Sequence, residues 1–258
     1  MDREIAVVQA AVHEAGQQVL QLAAHGFETH IKHDRSPVTT ADLAVNRILQ
    51  QTLLHAFPGD GWLSEETPDD PARLKKSRVW VIDPIDGTKY FMTGVPQYAI
   101  SVALVEEQRP TCAVIYNPAT NELFTAIKGR GAWLNQNRLR VRADVPAQPA
   151  ILVNPSGHRR DAFRVIDDAV ECRPMGSIAY TLALVAAGRS DGTINVDRLN
   201  EWDIAAGVLL IEEAGGCWSD MTGSPVPFNQ LKTAIRGVLA SNASLHPSLV
   251  DLAKRLKP

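Results

Sequence analysis

Apolar side chains recur at Ile5, Val8, Val12, Val19 and Leu22, close to the 3.6-residue period of a helix, with charged or amide residues between them. Residues 3–25 are therefore expected to form an amphipathic opening helix. A second pattern, Leu43, Ile48, Leu49 and Leu53, predicts a helix to about Ala56, and Thr39 with Asp42 ahead of it matches a capping box. Phe57-Pro58-Gly59-Asp60-Gly61 breaks that helix. The period then changes. Val79-Trp80-Val81-Ile82 reads as a buried strand, with Pro84, which cannot donate to a ladder, marking its end. Tyr98 to Val105, Thr111 to Tyr116 and Leu123 to Ile127 follow as strands separated by turn signals, and a further hairpin is expected over 129–135, so the first half predicts an antiparallel sheet.

Ala143 to Ala150 is short, small and proline-marked, and places a boundary that divides the chain into 1–145 and 146–258. Beyond it the pattern alternates: a strand over Ile151 to Asn154, helices over about Arg159 to Val170 and Ser177 to Ala187, and a strand from Gly192 to Val196. A last helix from Trp202, with Ile204, Val208, Leu209 and Ile211 inside, is closed by Gly215-Gly216. This predicts a smaller α/β half.

Composition narrows the classes. With 258 residues and 45% hydrophobic content the chain can bury a large core. Its 26 basic and 29 acidic residues leave a net charge of −3 with no basic run, which argues against a nucleic-acid polymer as partner. No apolar run is long enough for a membrane span, and Met1-Asp2-Arg3-Glu4 lacks the start of a signal peptide, so a cytoplasmic protein is expected. Three cysteines, an odd number without Cys-x-x-Cys spacing, argue against a disulfide framework and a structural zinc site.

The candidate chemistry sits where the central strand ends, in Asp83-Pro84-Ile85-Asp86-Gly87-Thr88. Two carboxylates this close repel unless a cation lies between them, and hard oxygen ligands suit Mg²⁺ or Mn²⁺ better than zinc. The plainer alternative is an Asp-Gly turn with capping side chains. The helical turn expected after Thr88 leaves N–H groups at Gly87 and Thr88, a seat for phosphate. His30 and His33 have a metal-like spacing, but a site of oxygen ligands argues against using them. Asp42 and Asp203 each also have a helix-capping explanation.

The run Asp83 to Thr88 resembles the signature of the inositol monophosphatase family of metal-dependent phosphomonoesterases. Asp42 in Val38-Thr39-Thr40-Ala41-Asp42, the pair Glu65-Glu66, and Glu201-Trp202-Asp203-Ile204-Ala205-Ala206-Gly207 occur in the family's order, spanning about residues 35 to 220. The resemblance implies a layered αβαβα sandwich, with a mostly antiparallel sheet in the first half and a smaller mixed sheet in the second. It implies two or three Mg²⁺ ions, or Mn²⁺, held by Glu65, Asp83, the carbonyl of Ile85, Asp86 and Asp203. Glu65 and Thr88 would orient the attacking water, Asp42 would support them, Gly87 and Thr88 would bind phosphate, and Asp86, Ser177, Asn195 and Asp197 would face the substrate. The loop of Lys32 and Asp34 would close over the metals. Lithium sensitivity and a homodimer follow from the same resemblance. A covalent aspartyl-phosphate route, as in haloacid-dehalogenase enzymes, needs an aspartate two residues before Asp86, where Pro84 stands.

For the substrate, a small phosphorylated metabolite, the motifs are mixed. Gly94 to Val102 and Gly176-Ser177-Ile178-Ala179 resemble inositol monophosphatases, whereas Asp86 to Phe91 and Glu201 resemble the histidinol-phosphate and 3′(2′),5′-bisphosphate nucleotidase branches. A non-catalytic protein that kept the fold is the remaining alternative.

Overall fold

The computed structural model describes residues 1–32, 35–154 and 163–256. The opening helix α1 spans Asp2–His25, and α2 spans Thr40–Ala56 behind the expected capping box on Thr39. The segment between them is not wholly irregular: β1 (Thr29–Ile31) and β2 (Pro37–Thr39) pair as an antiparallel hairpin. His33 and Asp34 lie outside the described residues.

Seven strands form the first sheet. In spatial order they are β3 (Gly61–Ser64), β4 (Arg78–Asp86), β5 (Ala99–Glu106), β6 (Arg109–Asn117), β7 (Glu122–Ile127), β8 (Gly131–Leu134) and β9 (Asn137–Arg138). Only β3 and β4 pair in parallel. Strand β4 does not stop at Pro84 as the proline suggests. A one-residue bulge between Asp83, opposite Ser101, and Asp86, opposite Ala99, absorbs the missing donor, so pairing resumes beyond it. The short helix α3 (Thr88–Met92) follows immediately.

The second sheet has the order β11-β10-β12-β14-β13, where β10 is Ala150–Val153, β11 Glu171–Pro174, β12 Gly192–Asn200, β13 Cys217–Ser219 and β14 Ala234–Ser241. It is mixed: β10 is parallel to β11 and β12, and β14 is antiparallel to β12 and β13. Strand β12 outruns its expected end at Val196, because after a bulge between Asn195 and Arg198 it regains the ladder with Arg236 to Ala234. The helices are α4 (Ile178–Ala186), α5 (Glu201–Glu213) and α6 (His246–Arg255). The helix expected over Arg159 to Val170 falls partly outside the described residues; its remainder is helical at Phe163 and passes into a 3₁₀ turn, Arg164–Ile166.

Strand alternation assembles the layers. On β4, Trp80 and Ile82 face α1 and α2, while Val79 and Val81 face α4 and α5. Those two helices are sandwiched between the sheets, meeting Leu152, Val238 and Ala240 of the second, and its outer face packs on Leu249 and Leu252 of α6. The result is the αβαβα order. Both inner helices point their first turns at the bulge of β4, which decides where the chemistry can occur.

Candidate active site

Asp83 and Asp86 flank the bulge, so both carboxyls leave the strand on the side of the inner helices. Asp86 accepts hydrogen bonds from the Ser177 hydroxyl (2.5 Å) and the Ala179 N–H (2.6 Å), which fix it against the first turn of α4. Asp203 stands in the first turn of α5, where it accepts the Asn200 N–H (2.6 Å) in a capping box. Ser101, opposite Asp83, reaches the Trp202 carbonyl (3.4 Å) and ties α5 to the sheet. Glu65 follows β3, and its N–H donates to the Ile82 carbonyl (3.2 Å), placing it alongside Asp83.

Oxygens of Asp83, Asp86 and Asp203 lie within 4.8 Å of one another. Burial, then the charges of Glu65, Asp86 and Asp203, hold the Asp83 carboxyl well above the usual carboxylate range. Burial and the Asp86 charge do the same to Asp203, and burial pushes Asp86 up to about 7 against its two hydrogen bonds. Asp83 is 1% exposed, and among the described residues its Oδ1 has no hydrogen-bond partner. A buried, unpartnered carboxylate oxygen facing two more carboxylates is costly without a cation. The donor set is all oxygen, which fits a hard divalent ion and not zinc. His30 stays outside, exposed beside Glu28.

A second layer orients this set. Thr88 donates to the Ile85 carbonyl (3.0 Å) and to Asp42 (3.1 Å), and Asp42 in turn accepts the Thr39 N–H (2.8 Å) and hydroxyl (2.5 Å). Asp42 therefore both caps α2 and holds Thr88; burial raises its pKa. Lys32 Nζ bridges Glu65 (2.7 Å) and Glu66 (2.5 Å). Burial pushes Glu66 up to about 7 even so. Burial also disfavours the Lys32 charge, yet the two glutamates outweigh it and raise its pKa.

The carboxylates form the floor of a cleft of about 540 Å³ that Glu65, Ile85, Gly87 and Thr88 also line. Gly87 has φ +94°, and a Cβ there would lie 2.8 Å from the Gln97 carbonyl, so glycine is required. Of the residues expected to face the substrate, Asp86 and Asp197 line the cleft, Asp197 accepting a hydrogen bond from Asn154 (2.9 Å). Ser177 and Asn195 do not. Ser177 is fully buried with its hydroxyl committed to Asp86, and Asn195 turns inward to accept the Asp197 N–H (2.9 Å). Tyr90, Lys89, Asn154 and Gly176 are lining residues that sequence reasoning passed over as substrate contacts. Tyr90 was legible, standing inside the motif; Asn154 was not, since its partner is 43 positions away.

The model of the inositol monophosphatase family matches residues 1–257. The inositol-1-monophosphatase of Rhizobium meliloti is 38% identical over 232 residues, covering 86% of each chain. Among solved structures, an IMPase from Thermotoga maritima superposes with a TM-score of 0.88 at 28% identity, over 99% of this chain and 98% of that one. SaIMPase-II from Staphylococcus aureus has been solved with inositol monophosphate bound (TM-score 0.81, 26% identity, 97% and 93% covered). It has also been solved with 2′AMP bound (TM-score 0.83, 27% identity, 97% and 94% covered).

Proposed function

Because the chain belongs to the inositol monophosphatase family and is a phosphatase of that family, we propose that it is a Mg²⁺-dependent phosphomonoesterase of small phosphorylated metabolites, with inositol 1-phosphate the first candidate substrate. The observation that carries this is the trio of carboxylates gathered within 4.8 Å on the cleft floor. Asp83, Glu65 and the Ile85 carbonyl would hold one ion, and Asp83, Asp86 and Asp203 a second, with Mn²⁺ able to replace Mg²⁺ and a third ion allowed. Bound there, the metal supplies a water of lowered pKa and neutralises charge at the leaving oxygen.

The chain's own groups do the rest. Thr88, held between Asp42 and the Ile85 carbonyl, orients the attacking water, and Glu65 accepts its proton. Backbone N–H groups at Gly87 and Thr88 receive the phosphate oxygens. The new O–P bond forms in line as the ester O–P bond breaks, and the departing alcohol oxygen takes a proton from solvent, so no phosphoenzyme is needed. Asp197 and Asp86 face the alcohol portion.

We extend the reading to a cytoplasmic, lithium-sensitive homodimer of two halves, 1–145 and 146–258, on the resemblance to the family. Among the described residues no helix is long and apolar enough to cross a membrane. A bisphosphonucleotide or histidinol phosphate is the second substrate reading, favoured by the aromatic Tyr90 among the residues that line the cleft. The test is Mg²⁺-dependent phosphate release from inositol 1-phosphate, histidinol phosphate, adenosine 3′,5′-bisphosphate, fructose 1,6-bisphosphate and 2′-AMP, with and without lithium. A preference of about 100-fold, about 2.7 kcal/mol of transition-state binding, for inositol 1-phosphate is expected. The same preference for a ring-bearing nucleotide or histidinol ester would transfer the assignment.

A further inference from the structure

Glu201 opens α5 two residues before Asp203 and is 1% exposed. Among the described residues its carboxylate hydrogen-bonds away from the cleft. Oε2 accepts the Asn229 N–H (2.5 Å) and Oε1 the Gln230 N–H (2.7 Å). From the opposite side of the same two residues comes Arg73, 2% exposed, whose guanidinium donates to Asn229 Oδ1 (2.6 Å) and the Gln230 carbonyl (2.9 Å). The rest of that guanidinium grips Asp69 through two bonds (2.6 and 2.9 Å).

The two anchors belong to different sides of the carboxylate site. Arg73 lies in the 3₁₀ turn Pro71–Lys75, packed so closely on β3 that a Cβ on Gly61 would come within 3.2 Å of the Arg73 Cβ. Strand β3 runs directly into Glu65. Glu201 belongs to the helix that carries Asp203, and its own N–H donates to the Thr233 carbonyl (3.0 Å). The peptide between them is held rigidly: Phe228 is fully buried, its N–H donates to the Gln108 carbonyl (3.0 Å), and Asn229 is in the left-handed region at φ +57°.

We propose that Arg73 and Glu201, joined through Asn229-Gln230, form a buried clamp that fixes the spacing between Glu65 and Asp203, making both positioning residues for the divalent ions. The inference rests on the metal-site reading above. A buried ionic network is weak evidence of stability for its own sake, since apolar packing would close the same gap. What two directional anchors on one peptide add is a fixed distance between ligands contributed by separate elements, as outer partners of metal ligands do.

The test is Mn²⁺ binding, read from the electron paramagnetic resonance of free Mn²⁺, far below the unfolding temperature of every protein used. Glu201→Gln sets an amide NH₂ against one of the two N–H donors. Asn229→Gly keeps the left-handed backbone and deletes only the acceptor for Arg73, so it carries the test if Glu201→Gln does not fold. Leu249→Ala, on α6 in the outer core against the second sheet, is the control for lost stability alone. Both clamp variants should bind Mn²⁺ about 10-fold more weakly or worse, with Leu249→Ala matching the wild type. Wild-type affinity in the folded clamp variants overturns the clamp alone, as does an equal loss in Leu249→Ala. A wild-type protein that binds no Mn²⁺ overturns the clamp and the metal assignment together.

Discussion

Asp83 is the residue on which the physics of the site turns, because its Oδ1 is buried without a partner among the described residues while two other carboxylates stand within ligand distance. Folding without metal forces these groups to hold protons they would shed in the unfolded chain: Asp86 up to about 7, Asp83 and Asp203 well above their ordinary range. From about pH 4 to about pH 7 the folded state therefore binds more protons than the unfolded one, and the metal-free protein loses stability as pH rises through that window. Divalent ions displace those protons. The rise in Tm on adding Mg²⁺ to metal-stripped protein should be larger at about pH 8 than at about pH 5.5; a scanning-fluorimetry titration giving an equal or larger rise at the acid pH would contradict it. At this scale the acidic residues were legible, since paired aspartates around a proline that follows a buried apolar run have few other uses. The commitments of Ser177 to Asp86 and of Asn195 to the backbone were not, because both depend on partners that only the folded sheet and helix bring near.

Among the elements, the pair α4 and α5 positions the site, since their first turns carry the Asp86 partners and Asp203. Their approach requires Gly207: a Cβ there would lie 2.5 Å from Leu182 Cδ1, and Leu182 is fully buried. Alanine in a helix ordinarily stabilises relative to glycine by about 1 kcal/mol. Here overpacking should reverse the sign, and Gly207→Ala should cost about 1–3 kcal/mol, read as a lower urea midpoint with unchanged slope; a midpoint at or above wild type would contradict the packing. Helices with clear periodicity, such as α1 and α2, were legible in the sequence. Strand ends were less so, because the bulges after Asp83 and Asn195 let pairing resume where local signals point to a stop. The edge hairpin of β1 and β2 has little apolar patterning to announce it, with all three β1 residues exposed. Strand β14 is marked by no clean alternation, and Gly237 interrupts it with φ +64°.

At the scale of the whole molecule, the layers exist to bring four chain segments together: the end of β3, the bulge of β4, and the starts of α4 and α5. The first two are near in sequence and were legible separately, the run Asp83 to Thr88 by its own pattern and the pair Glu65-Glu66 through the resemblance. Asp203 lies 120 residues beyond Asp83, and composition alone left a helix cap open as an alternative for it; its motif resemblance connected it to the site, as the geometry now does physically. The most direct test of the account is phosphate release from inositol 1-phosphate by protein stripped of metal, then resupplied with Mg²⁺, for the wild type and for Asp83→Asn and Asp203→Asn. The account predicts no release from stripped wild type, recovery on adding Mg²⁺, and a loss of at least about 10³-fold, about 4 kcal/mol of transition-state stabilisation, in both folded variants. Undiminished release from stripped wild type in excess chelator, or Mg²⁺-restored wild-type rates in either variant, would contradict it.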